Sequence, residues 1–219
     1  MREQSENRIE SEKKFWNAKA RSYDTVVGKF FPKSYEAIIK NIVQDVNPSD
    51  IVLEAAAGTG ILSIKLSGYV SHITAIDIAP EMLQVAREKS AILQKNNIDF
   101  EIGDICNLKY KDRSFDTVVA SNVLHLLVNP GLALQEIKRV LRDNGTLIAP
   151  TFCHGTNLRS RILSGILYLL GQHTKSRWSP KKFKEFVEKH GFEVKKEEFV
   201  NDKIPLLYLV ATKNLAHNQ

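Results

Sequence analysis

Three acidic residues stand at the ends of predicted β-strands, where their carboxylates could bind polar groups of one ligand. Glu54, Asp77 and Asp104 each end or closely follow a short run of apolar or alternating residues. These runs alternate with segments of helical spacing, which predicts a mostly parallel α/β sheet. Ligands of such sheets bind at the carboxyl ends of the strands. We therefore expect the three carboxylates to face one pocket.

The chain turns sharply after the first of these strands, through Gly58-Thr59-Gly60. Glycines let backbone N–H groups come close to a ligand, and the helix predicted from residue 61 adds its positive N-terminus. A dinucleotide site favours a third glycine, but Ser63 stands in that place. Glu54 would also repel a pyrophosphate. An acid at this point suits a ligand with a cationic end, such as the amino group of a methionine moiety.

The stretch from Glu54 to Gly60 resembles motif I of the class I S-adenosylmethionine-dependent methyltransferases, an E/D-x-G-x-G-x-G pattern. The chain departs from the pattern at Ala56, where the family usually has glycine, although alanine is still small. The resemblance implies S-adenosyl-L-methionine as the cofactor. It also places Ala56, Gly58 and Gly60 among the cofactor-binding residues.

The second acid, Asp77, lies at a strand end some 17–20 residues after the glycines. A carboxylate in this position is placed to accept both hydroxyls of a ribose, although a bare aspartate there could equally cap a helix. We also expect its neighbour Ile78 to bind the cofactor. Met82 lies a helical turn further on and could cover an adenine, or simply belong to the core.

Further resemblances assign the remaining cofactor residues. Gly103-Asp104-Ile105 resembles the family's GD motif, which implies that Asp104 accepts from the adenine amino group and that Ile105 packs on the ring. Residues 15–24 resemble the family's FW-x₃-A-x₂-YD entry, which implies that Tyr23 closes over the cofactor as part of a lid. Asn122 follows the predicted fourth strand, so we expect it at the same pocket.

The most specific resemblance lies in the middle of the chain. Residues 114–125 match the family's SFD…LH block, and residues 134–145 match its L-x-E-I-x-R-V-L-x-x-x-G block. The resemblance implies a Rossmann-like, doubly wound sheet of seven strands in the order 3-2-1-4-5-7-6, with the last strand antiparallel. We divide the chain into an N-terminal helical lid, 1–46, and a cofactor-binding domain, 47–219, with a helical insert at about 156–178.

Two histidines are candidates for a general base. His125 and His154 each follow a predicted strand at the cofactor edge, and a hydroxyl or ammonium acceptor must lose a proton during methylation. Histidines at such places can equally line the wall. Cys106 and Cys153 lack metal-ligand spacing, so no metal site is predicted.

Composition sets the outer limits of the interpretation. The chain has 219 residues, of which 43% are hydrophobic and 26% charged, and no apolar run long enough to span a bilayer. No signal peptide is visible, so we expect a cytoplasmic protein. The net charge of +6 fits a lysine-rich surface, a nucleic acid or an anionic membrane. The sequence carries no signal for an oligomeric state.

Four alternatives stand beside a methyltransferase of small molecules. A nucleic-acid methyltransferase usually carries a D/N-P-P-Y-like motif after the fourth strand, whereas this chain has Ser121-Asn122-Val123-Leu124, which argues against it. A lipid or quinone acceptor could meet the insert at a membrane surface. The Ser63 and Glu54 positions argue against a nicotinamide-dependent oxidoreductase. A cofactor-binding protein without catalysis stays open.

Overall fold

A computed structural model describes residues 2–153 and 175–214 of the chain. Its helices are α1 (Arg2–Phe30), α2 (Pro32–Asp45), α3 (Ile61–Leu66), α4 (Pro80–Ile92), α5 (Pro130–Val140) and α6 (Pro180–Lys189), with a short 3₁₀ turn at Leu124–Leu126. Its strands are β1 (Ile51–Ala55), β2 (His72–Asp77), β3 (Ile98–Ile102), β4 (Phe115–Val119), β5 (Leu141–Ile148), β6 (Thr151–Phe152), β7 (Phe192–Val200) and β8 (Leu206–Lys213).

The strands form one mixed sheet in which β1 to β5 are parallel and lie in the order β3-β2-β1-β4-β5. The order reverses between β1 and β4, which is where ligands of doubly wound sheets bind. Strand β8 is antiparallel to β5, to β6 and to β7. The two-residue β6 is one strand more than predicted, and it pairs with β8, as β5 does. Otherwise the sheet matches the prediction, so the predicted fold is confirmed.

The sheet buries apolar side chains on both faces. Consecutive residues of the central strands belong to different hydrophobic clusters: Val52 and Leu53 in β1, and Val118 and Val119 in β4, divide in this way. Because successive strand side chains point to opposite faces, one cluster lies on each side of the sheet. Helices α5 and α6 cover one face and α2 and α3 the other. Burial on both faces explains why these strands read as continuous apolar runs.

Local signals fix where several helices begin. Proline occupies the first turn of α2, α4, α5 and α6, where its missing N–H costs nothing. The N-cap residues of α5 and α6, Asn129 and Ser179, accept hydrogen bonds from the backbone N–H groups of Leu132 and Lys182, each at 3.3 Å. Each cap satisfies one of the donors that a helix N-terminus leaves unpaired.

The N-terminal segment is one long helix, α1, followed after Phe31 by α2. Helix α1 packs along α4, and α2 packs against α3. The division at residue 46 into lid and domain stays a prediction, and most of the predicted insert lies outside the described residues. Among residues 2–153 and 175–214, no helix is both long and apolar enough to cross a bilayer.

Candidate active site

A cavity of about 390 Å³ lies at the carboxyl ends of the strands, beneath α1. Ten of the residues predicted from the sequence line it: Tyr23, Ala56, Gly58, Asp77, Ile78, Met82, Asp104, Ile105, Asn122 and His125. The volume is in the range of cavities that hold small ligands and cofactors. The sheet topology therefore brings together residues that lie up to 102 positions apart in the chain.

Glu54 differs from the expected arrangement, because it lines a second, smaller chamber rather than the main cavity. The two spaces adjoin, since Tyr23, Tyr35, Ala56, Gly58 and Ser121 line both. The Glu54 carboxylate accepts a hydrogen bond from the Ser63 hydroxyl of α3. The site consequently has a wide chamber with two of the carboxylates and a narrow one with the third.

The carboxyl group of Glu54 is buried, with 3% of the residue exposed. Burial raises its pKa from 4.5 to about 7, although the Ser63 hydroxyl opposes the shift by hydrogen-bonding the charged form. Asp77 adds to the rise through its own charge, while Lys89 lowers the pKa. A group balanced in this way near neutral pH would ionise readily when a cation arrives.

Asp77 joins the glycine turn to the start of α4. Its Oδ2 accepts from the backbone N–H of Gly58 at 2.8 Å, and its Oδ1 accepts from that of Ala79 at 2.9 Å. Burial raises the pKa of Asp77, and these backbone hydrogen bonds act against the rise. A carboxylate has about four lone-pair positions, so two such bonds leave both oxygens able to accept again from a ligand.

The turn between β1 and α3 depends on left-handed backbone. Ala56 has a φ of 65°, Gly58 of 56° and Gly60 of 72°. Gly60 does not line either chamber. A Cβ at Gly60 would lie 2.9 Å from the Cβ of Ala86, so this glycine lets α3 and α4 approach each other. Gly60, a predicted cofactor-binding residue, therefore serves the packing of the helices here. Ala56 and Gly58, in contrast, line both chambers.

The far end of the main cavity is bounded by β3 and α4. Asp104 accepts a hydrogen bond at Oδ1 from the backbone N–H of Cys106 at 2.8 Å, which fixes the orientation of its carboxyl group. The side chains of Ile105 and Met82 are buried and face the cavity beside it. An acceptor flanked by apolar side chains suits a heteroaromatic ring with an exocyclic amino group.

A polar collar separates the two chambers. The hydroxyls of Tyr23, from α1, and Tyr35, from α2, lie 2.9 Å apart and share a hydrogen bond. Burial raises the pKa of both phenols, so both remain neutral hydroxyls. The buried Ser121 Oγ has no hydrogen-bond partner within the described part of the chain. A buried hydroxyl without a partner is costly unless a ligand supplies one.

Helix α1 is fastened over the cavity by polar contacts with α4 and the glycine turn. Asp24 accepts from the Thr59 hydroxyl and from the Lys89 ammonium, both at 2.5 Å. The Arg21 guanidinium binds both carboxylate oxygens of Glu88, at 2.6 and 3.1 Å. These contacts fix the position of Tyr23 over the site.

The wall opposite the strand ends is mainly apolar, although Glu12, Lys19 and Ser22 of α1 also line the cavity. It is formed by α1 with the residue that follows it, by the segment after β4 and by β6, and its apolar residues include Phe15, Trp16, Val26, Val27, Phe30, Phe31, Leu126, Leu127 and Phe152. The rings of Phe31 and Phe152 pack with their centroids 5.0 Å apart. This wall can hold the apolar body of a second ligand beside the polar strand ends.

The comparison with protein families identifies the chain. The family model described as "Methyltransferase domain" matches residues 47–191, well over half of the sequence. The chain belongs to this methyltransferase family. The resemblance inferred from the sequence motifs, and the prediction of an enzyme, are thereby confirmed.

Individual relatives agree with the family assignment. A demethylmenaquinone methyltransferase of Paenarthrobacter aurescens strain TC1 is 36% identical over 110 residues, which are 50% of this chain and 42% of that protein. The methyltransferase therefore spans less than half of that relative.

Two solved structures share the fold of this chain. The DhpI complex with SAH has a TM-score of 0.73 at 20% identity, covering 94% and 97% of the two chains. SAH-bound magnesium protoporphyrin IX methyltransferase from Synechocystis PCC 6803 has a TM-score of 0.67 at 19% identity, covering 82% and 84%.

The two predicted histidines have different outcomes in the methyltransferase. His125 is buried in the 3₁₀ turn after β4 and lines the main cavity, and its backbone carbonyl accepts from the N–H groups of Lys175 and Ser176. His154 lies outside the described residues. Asn122, with a φ of 53°, uses its Oδ1 to accept from the backbone N–H of Phe152 at 3.2 Å. Its side chain therefore braces the cavity wall as well as lining it.

Three polar residues of the methyltransferase site were not predicted. Tyr35 reads as one more residue of an amphipathic helix, because only the three-dimensional packing brings it opposite Tyr23. The sequence shows Ser121 only as part of the segment that follows the fourth strand. In the sequence, Ser63 stands in the place of a missing glycine, and the signal for its hydrogen bond to Glu54 is that a buried strand-end acid needs a donor nearby.

Proposed function

We propose that the enzyme transfers a methyl group from S-adenosyl-L-methionine to a small-molecule acceptor. The observation that carries the proposal is the pair of adjoining chambers, one narrow with a buried acid and one wide with two strand-end acids. An amino acid end fits the first, and a nucleoside fits the second. The collar of Tyr23, Tyr35 and Ser121 would then surround the atoms that connect them.

The polar groups of the site match those of the cofactor one by one. Glu54 would accept from the ammonium of the methionine part. The remaining lone pairs of Asp77 would accept from the two ribose hydroxyls, and Asp104 from the adenine amino group. Ile105 and Met82 would cover the faces of the ring. The unpartnered Ser121 hydroxyl would gain a partner at the methionine end.

The transfer itself requires positioning more than side-chain chemistry. When bound, the cofactor supplies a methyl carbon on a positively charged sulfur, and the acceptor's lone pair forms a bond to that carbon as the sulfur–carbon bond breaks. The chain's part is to hold the acceptor in line at near-attack distance and to exclude water, which together can contribute several kcal/mol. His125 lies in the cavity wall, where it can receive a proton from a hydroxyl or amine acceptor.

The acceptor we favour has an apolar body and a nucleophilic end. The apolar wall of α1 and Phe152 supports this, because a polar metabolite would leave that wall without favourable contacts. A lipid or quinone acceptor is the second candidate. It is supported by the relatives named demethylmenaquinone methyltransferase together with the same apolar wall.

Calorimetry and label transfer test the proposal in sequence. Titration with S-adenosylmethionine should give saturable binding, and titration with NAD should give none. Cofactor carrying a tritiated methyl group is then offered with an isoprenoid naphthoquinol in micelles, with the same quinol lacking its side chain, and with total RNA. We expect label in the organic extract and more of it with the side chain present. Label in RNA, or binding of NAD alone, would refute the proposal.

A further inference from the structure

The cavity reaches the surface at the C-terminal end of α1. Val26 and Phe30 both line the cavity, yet 42% of Val26 and 38% of Phe30 is exposed. They lie four residues apart, on one side of the helix. An apolar pair that is both wall and surface marks the place where a ligand would enter or leave.

Two lysines contact the Phe30 ring of this apolar pair, and a third follows it closely in sequence. The ammonium groups of Lys29 and Lys203 lie 5.8 and 5.1 Å from the centre of the Phe30 ring, within the range of cation–π contacts. Lys33 is exposed in the first turn of α2. We call Val26, Lys29, Phe30, Lys33 and Lys203 the rim patch.

Of the three carboxylates close to the rim patch in sequence, Asp24, Glu36 and Asp202, the first and the last make contacts elsewhere. Asp24 is bound to Thr59 and Lys89, as described above. Asp202 accepts from the backbone N–H and the hydroxyl of Ser34, at 2.9 and 2.7 Å, and so holds the loop before β8 against α2. None of the three lysines of the patch has an ion-pair partner within the described part of the chain. Asp202 keeps its negative charge next to Lys203, and the exposed Glu36 lies one helical turn after Lys33, so the three lysines outnumber these two carboxylates around the apolar centre.

From this arrangement we propose that the rim patch docks on an anionic lipid bilayer, with Phe30 and Val26 inserted at the interface and the three lysines against the head groups. Exposed apolar side chains flanked by lysines are the signature of interfacial binding, because insertion and charge attraction act together. The proposal rests on the proposed function in one respect. An acceptor with an apolar body would pass between bilayer and cavity without crossing water.

Vesicle co-sedimentation tests the docking. Vesicles of phosphatidylcholine with about a quarter phosphatidylglycerol should bind the protein, and pure phosphatidylcholine vesicles should bind it much more weakly. Each lysine near an anionic surface contributes about fivefold to the partition coefficient. The variant Lys29→Glu/Lys33→Glu/Lys203→Glu should therefore lose at least about 100-fold. The matched control, Lys111→Glu/Lys182→Glu/Lys189→Glu, changes the net charge equally at exposed positions outside the patch and should lose far less.

A second variant reports insertion directly. In Phe30→Trp, brominated lipids in the vesicles should quench the new indole, beyond any quenching of the native tryptophans. An absence of extra quenching, equal losses in the two lysine variants, or failure of the wild type to bind anionic vesicles would each overturn the docking proposal. Cofactor affinity measured without vesicles separates the two proposals. Intact affinity without vesicle binding removes only the docking surface, and vesicle binding without affinity removes only the proposed function.

Discussion

The buried acid Glu54 provides the sharpest prediction, because its pKa of about 7 lies inside the range where binding is normally measured. If Glu54 receives the ammonium of the cofactor, only its ionised form binds well. The apparent affinity should then rise with pH until the carboxyl group is ionised in the free enzyme. At about pH 6 some nine-tenths of the sites carry a proton, which makes the apparent affinity roughly tenfold weaker than the limiting value.

The same pKa shift of Glu54 also makes folding stability depend on pH. Stability falls as pH rises, whereas cofactor affinity increases. The pKa of Glu54 is higher in the folded state than its ordinary 4.5, so the folded protein holds a proton that the unfolded chain has released. The contribution of Glu54 to the free energy of unfolding is present below about pH 4.5 and is lost as pH rises through about 7. The shift from 4.5 to about 7 corresponds to about 3 kcal/mol of unfolding free energy, at 1.36 kcal/mol for each pKa unit.

Calorimetry between pH 6 and 7.5 measures the binding effect, with Glu54→Gln as the matched control. The cofactor's own amino group, with an ordinary pKa of about 7.7–8.0, stays mostly protonated over this range and therefore changes the ratio of the two affinities little. Wild-type affinity should gain roughly eightfold over this range relative to Glu54→Gln. Ser63→Ala removes a hydrogen bond to the charged form, so it should move the rise to higher pH. A wild-type profile parallel to that of Glu54→Gln would refute the reasoning.

Three further predictions concern the residues around the site. Asp77→Ala should weaken S-adenosylmethionine affinity more than tenfold, because each hydrogen bond to a charged group contributes about 1.5–3 kcal/mol, and an unchanged calorimetric affinity would contradict the ribose role. Gly60→Ala should lower the free energy of unfolding in urea by about 2–4 kcal/mol, from its positive φ and the Cβ contact with Ala86, and adding Ala86→Gly should restore part of the loss. Asp24→Asn should speed cofactor dissociation in stopped flow by releasing α1 from Lys89, whereas Glu10→Gln, in the same helix, should not; equal rates would show that α1 does not gate release.

The sheet and most of the site could be predicted because they follow from short-range patterns. Apolar runs ending in acids locate β1 and β2, and the prolines of α4 and α5 mark helix starts that need no knowledge of distant contacts. The carboxyl ends of parallel strands then meet at one edge by topology alone. This brought Asp77 and Asp104 to the same cavity.

What the sequence could not provide depends on tertiary packing. A hydrogen-bond donor near the buried Glu54 can be anticipated from the sequence, but not that this acid lines the narrow chamber while Asp77 and Asp104 line the wide one. The Tyr23–Tyr35 pair exists only because α1 and α2 meet above the strand ends. In the motif, Gly60 resembles a glycine that binds the ligand. Glycine is required there, however, because a side chain would collide with Ala86, a residue 26 positions later in the chain.

A crystal structure with bound S-adenosylhomocysteine tests the central claim most directly. The account predicts its amino group within hydrogen-bond distance of Glu54 in the narrow chamber, its ribose hydroxyls on Asp77 and its adenine amino group on Asp104. A ligand bound away from these carboxylates, or lying wholly in the wide chamber with Glu54 untouched, would contradict it.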